Sequence, residues 1–183
     1  MTLKLSTLAV LLGLGMGLPQ IYGIAKPAAF AAAVRKFPRS LPWGYGLMLF
    51  GTIWFVWNVS QESISDFAAW KTPLLAAFTA IGIGTCVFVQ DFLAVRGLAI
   101  VLLLLAKLMV DTGRPALSVT HWVLVFQGWA YVLVVAGIWF TVSPWRLRDL
   151  LNWGTANEQR IKVGCGLRLA FGLFVAALGV TKF

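Results

Sequence analysis

From Trp122 to Val142 the chain carries no charged side chain. At the rise of an α-helix that run covers the roughly 30 Å hydrocarbon core of a bilayer. The basic turn Ser143-Pro144-Trp145-Arg146-Leu147-Arg148-Asp149 follows, and a second apolar run from Val163 to Val180 returns. In lipid no water is present to bond a backbone, so a segment of this kind satisfies its own peptide groups as a helix. Runs of similar length and apolarity recur along the chain. The pattern predicts an all-α integral membrane protein, a bundle of about six transmembrane helices with short loops, spanning approximately 5–24, 42–58, 73–90, 97–111, 121–142 and 163–180. Residues 1–183 then form a single transmembrane domain with no soluble part.

Composition agrees. Hydrophobic side chains make up 60% of the chain and charged ones 11%, against about 25% charged in soluble domains. The net charge of +9 comes from fifteen Lys and Arg residues, but these gather in short loops between apolar runs and do not follow one face. That is the distribution of a topology signal and of contact with anionic headgroups, not of a nucleic-acid-binding surface. Lys26, Arg35, Lys36 and Arg39 follow the first span, Arg96 the third, and Arg146, Arg148, Arg160 and Lys162 the fifth. Lys4, Lys71, Arg114 and Lys182 fall on the other side. The basic loops are expected in the cytoplasm and both termini outside, in a bacterial cytoplasmic (inner) membrane. The run at 5–24 reads as a retained span, since it lacks a small-residue cleavage site and leads directly into a basic loop.

Two cytoplasmic-side amphipathic helices are expected in the interface. One, over 27–39, sets Phe30, Val34 and Phe37 against Arg35, Lys36 and Arg39. The other runs from Pro144, behind a Ser143 cap, to Gly154, and sets Trp145, Leu147, Leu150 and Leu151 against Arg146, Arg148 and Asp149. A third short helix is expected where Ser63 and Asp66 form a capping-box pattern ahead of Phe67 and Trp70, and Thr72-Pro73 is expected to open the third span. Gly13 with Gly17, Gly44 with Gly51, Gly82 with Gly84, and Gly164, Gly166, Gly172 and Gly179 offer small faces for close helix packing. Pro19 is expected to kink the first span. The hairpins 5–58 and 121–180 share a plan, with Pro27 or Pro144 opening a basic helix and Gly44 or Gly164 leading the return. This reads either as a parallel repeat or as the common look of any two hairpins with a basic turn.

Chemistry is sparse. A charge near the bilayer centre costs at least about 2.5–3.5 kcal/mol, so an intramembrane polar residue is a candidate by default. The candidates are Lys107 and Asp111, four residues apart on one helical face, together with Gln127 and Arg168. No Asp or Glu falls near a predicted midplane. Cys86, Cys165 and His121 cannot assemble a zinc site, and His121, even with Met109, is a poor basis for haem, so no cofactor, metal or catalytic residue is assigned. Arg35, Lys36, Arg39, Arg146, Arg148, Arg160 and Lys162 form a basic set suited to anionic headgroups or to docking a partner. The expected function is that of a non-catalytic scaffold or accessory subunit, with membrane lipids and other membrane subunits, or a second copy, as partners. The alternative is transport of a small solute or lipid.

Overall fold

The computed structural model describes residues 4–62 and 70–183. The helix expected at Ser63–Asp66 lies outside the described residues. Among them every regular element is helical: α1 Leu5–Ala25, α2 Pro27–Lys36, α3 Leu41–Gln61, α4 Lys71–Phe88, α5 Leu93–Gly113, α6 Val123–Val142, α7 Trp145–Gly154 and α8 Glu158–Thr181. Single 3₁₀ turns, Phe37–Arg39 and Arg114–Ser118, precede α3 and follow α5.

Among the described residues, five helices are long and apolar enough to cross a membrane: α1, α4, α5 continued to Ser118, α6 and α8. The helix α3 equals α1 in length at 21 residues but is not one of the five. Trp43, Tyr45, Trp54, Trp57 and Asn58 lower its hydropathy.

The chain divides into two compact units. The first comprises Met1–Arg35, Leu105–Val134 and Arg148–Phe183. Its main seam joins α1 to α8. The buried positions of α1 include Ala9, Gly13 and Gly17, one turn apart, which stack along a single stripe as i, i+4 spacing requires. A Cβ on Gly13 would stand 2.5 Å from the Gly172 carbonyl oxygen, and one on Gly179 would stand 2.9 Å from that of Ser6. The helices are therefore antiparallel and in backbone contact. Contact this close gives the two helices many dispersion contacts, which favour their association. Leu8, Ala9 and Val175 continue into a core with Ala106 and Met109 of α5 and Phe126 and Ala130 of α6. Trp129 stands edge-on to Phe171, with ring centroids 5.5 Å apart.

The second unit comprises Lys36–Leu104 and Val135–Leu147. Here α3 and α5 run parallel. A Cβ on Gly44 would meet Leu93 and Ala94, one on Gly97 would meet Leu47 and Met48, and one on Gly51 would meet Ile100. The small face predicted at Gly44 and Gly51 is thus the face that packs. The antiparallel α4 lies on α3 through Gly82 against Thr52 and an edge-on pair of Phe55 and Phe78, 5.0 Å between centroids.

Several boundaries differ from the sequence reading. The start of α5 is Leu93, not 97, because Phe92 adopts φ 54° and turns the chain within the four residues after Phe88. Arg96 accordingly belongs to a helix and not to a loop. The start of α8 is Glu158, not 163: the Asn157 side chain accepts from the Arg160 N–H at 2.8 Å, and Glu158 suits the positive end of the helix. Arg160 and Lys162 therefore ride on α8. Lys71, not Thr72, opens α4, with Trp70 at the cap position. Pro73 is tolerated in the first turn, where N–H groups have no helical acceptor. α5 ends at Gly113, which does not take a positive φ. Its value is space: a Cβ there would come within 3.3 Å of Val123. Pro19 lies inside α1, which continues to Ala25.

Candidate functional site

The four polar candidates all belong to the first unit. Lys107 and Asp111 form an ion pair at 2.8 Å with both side chains about half exposed, 48% and 47%. An i, i+4 pair so exposed contributes a few tenths of a kcal/mol and neutralises itself locally. Gln127 is buried, 8% exposed, and its amide nitrogen lies 3.5 Å from where a Cβ on Gly113 would be. Arg168 is exposed on α8. Val175 shares the core with Ala106 and Met109, and Arg168 lies two turns from Val175, about 10 Å along the axis. Arg168 is thus at a different depth from Lys107. The fold joins Lys107 to Asp111, packs Gln127 beside Gly113, two residues beyond Asp111, and leaves Arg168 at another depth.

The basic set divides in the same local way. Arg35, at the end of α2, donates from Nε to Thr155 Oγ1 at 2.8 Å and from an Nη to the Thr155 carbonyl at 2.6 Å. This guanidinium closes the C-terminal end of α7, where carbonyls lack helical donors and a cation is favoured. Phe30 and Ala31 of α2 pack beside it on Ile161 and Cys165 of α8, so the apolar stripe of α2 faces protein. Arg148 pairs with Asp149 at 2.9 Å, and Lys162 lies 3.8 Å from Glu158. Arg160 sits over the Trp153 ring at 5.3 Å. In the second unit Arg39 lies over Phe92 at 5.5 Å, and Lys36 and Arg146 are exposed. On α7 Leu147 is buried, while Trp145, Leu150 and Trp153 are exposed, giving the helix an outward apolar edge.

Two polar groups escaped the sequence reading. Arg96 Nε is buried with no hydrogen-bond partner among the described residues, and so is Gln20 Oε1, although Gln20 Nε2 donates to the Met16 carbonyl at 3.2 Å. The available signal was the start of α5, which a break at Phe92 would have moved ahead of Arg96.

Two apolar grooves flank the α3–α4 seam. One, about 240 Å³, is lined by Met48, Thr52, Phe55, Phe78, Gly82 and Ile100 among others. The second, about 310 Å³, lies along Ile53, Val56, Trp57 and Thr79. The threonine hydroxyls donate back to their own helices, Thr52 to Met48, Thr79 to Leu75 and Thr85 to Ile81, so they give these grooves no free donor. Cys86 and Cys165 are buried free thiols. Met109 is fully buried and His121 is exposed. No group of three metal-ligating side chains occurs among the described residues. Comparison with known protein families, curated proteins and solved structures returns no match.

Proposed function

We propose that this chain is a non-catalytic scaffold or accessory subunit of a larger membrane assembly. The observation that carries this reading is the packing of α4. Only 11% of its apolar stretch is buried, against 44% for α5, and Ile81, Ile83, Val87 and Phe88 all face outward. A span-length helix held along one narrow seam is a surface for another protein's helix. The polar candidates support the same reading, since the charged pair is neutralised locally and the grooves are apolar.

In this proposal α3 is the sixth span, because it runs beside α5 from Gly44 to Gly51 and so shares its depth. The basic connectors take the cytoplasmic side of a bacterial inner membrane, against anionic headgroups, with both termini outside. The transport alternative is favoured by the two grooves, whose lining suits a hydrocarbon chain better than an ion.

The test is purification from the native membrane in a mild detergent, followed by native mass spectrometry, with a photocrosslinker at Ile83 or Val87. A stoichiometric protein partner captured at those positions is expected. A lone monomer that carries a lipid or solute into liposomes would overturn the proposal in favour of transport.

A further inference from the structure

Several cations of this chain have a partner within it: Arg35 has Thr155, Arg148 has Asp149, Lys162 has Glu158 and Lys107 has Asp111. Two arginines at the α4–α5 turn have none of this kind. Arg39, in the turn ahead of α3, holds its guanidinium carbon 5.5 Å from the centre of the Phe92 ring. Arg96 lies one turn after Phe92 and donates its backbone N–H to the Phe92 carbonyl at 3.1 Å. The Arg39 cation thus lies on the residue whose left-handed backbone fixes the turn, and Arg96 stands one helical turn further along the chain. No carboxylate pairs with either arginine among the described residues, and the neighbouring Asp91 is exposed. Arg96 also keeps a buried Nε without a partner. Arg96 is half-buried and its guanidinium cannot shed its proton, so the buried Nε–H calls for an acceptor.

The surroundings are built. With α3 and α5 parallel, Gly44 against Leu93 and Ala94 brings their first turns together, and Gln90 Nε2 donates to the Tyr45 hydroxyl at 3.3 Å across the same end. We infer that this turn binds the phosphate of an anionic phospholipid, with Arg39 and Arg96 as its two cationic donors and the Phe92 ring holding the first in place. A guanidinium fork matches phosphate oxygens in a bidentate manner, and the end of a span-length helix lies at headgroup depth. This inference rests on the reading of the chain as membrane-spanning and adds a defined lipid site at its basic end.

The test uses the purified full chain in phosphatidylcholine nanodiscs with increasing phosphatidylglycerol, with retained lipid counted by native mass spectrometry. Wild type is expected to retain phosphatidylglycerol selectively. Arg39→Gln and Arg96→Gln should each lower that retention about fivefold or more, the fold-change that one juxtamembrane cation supplies, and Arg96→Lys should fall between. Arg160→Gln, whose guanidinium lies on Trp153, should leave it within about twofold. Should Arg96→Gln not fold, the exposed Arg39 still carries the test. Displacement of the lipid by millimolar inorganic phosphate would keep the phosphate chemistry but reassign the source to a soluble phosphate compound. Equal retention by wild type and Arg39→Gln would overturn the proposal. Because no partner protein is present, the outcome is independent of the assembly reading.

Discussion

The seam between α1 and α8 and the seam between α3 and α4 solve one problem with different means. The first places glycine against glycine, so that Gly13 and Gly172 bring backbone onto backbone. The second places glycine against a side chain, Gly82 on Thr52, and has an apolar groove along each flank. Where water does not drive helices together, the area of close contact decides the strength of the seam. By that standard α1–α8 is the fixed joint and α3–α4 the yielding one. The helix that is least buried is also the one held by the yielding joint.

Substitution should break that ranking if it is wrong. Gly172→Ala sets a methyl 2.5 Å from the Gly13 carbonyl oxygen and 3.0 Å from the Gly17 nitrogen. Both are backbone, so the helices must part, at a cost of about 3 kcal/mol. Steric-trap or denaturant unfolding in micelles would read this. Gly82→Ala meets only the Thr52 side chain and should cost about 1–2 kcal/mol. Thr52→Ala should recover part of that loss in a double-mutant cycle, a recovery that no single side-chain change can give Gly172→Ala.

Arg35→Ala removes the hydrogen bonds to Thr155 and should cost about 1 kcal/mol, with faster amide exchange in α2 and at the end of α7. The Lys107–Asp111 cycle should couple by about 0.3–0.5 kcal/mol and weaken with salt. Gly164→Ala, where a Cβ would meet nothing within 4 Å, should be neutral or stabilise by up to about 1 kcal/mol. A large loss there would show that openness of this kind does not mark a tolerant position.

Much of the helical plan was legible because long uncharged runs leave a chain few choices: they became helices, and Pro27 opened α2. The glycines were legible only in part. Gly13, Gly17, Gly44 and Gly51 pack, whereas Gly164 and Gly166 have nothing near them. Spacing defines a small face but not what lies opposite. Hydropathy also placed the start of the last helix too late, since Arg160 and Lys162 interrupt the apolar run even though Asn157 supplies an ordinary cap. Arg96 was counted as a loop charge for a related reason. The turn before it rests on an aromatic residue in a conformation that composition favours for glycine or asparagine. The candidate polar residues could be found individually, but the separation of Arg168 from Lys107 depends on depth, which periodicity does not report.

The antiparallel pairing of α1 with α8 also sets an order in time. Gly172 leaves the ribosome roughly 160 residues after Gly13, which at about 5–20 residues per second is a wait of about 8–30 s. Through that interval the glycine stripe of α1 has no α8 to cover it and is open to a chaperone or to the matching helix of another nascent chain. Translation halted ahead of α8 would leave a recognisable orphan. A degradation system that senses uncovered glycine faces could therefore read the completion of this protein from its earliest helix.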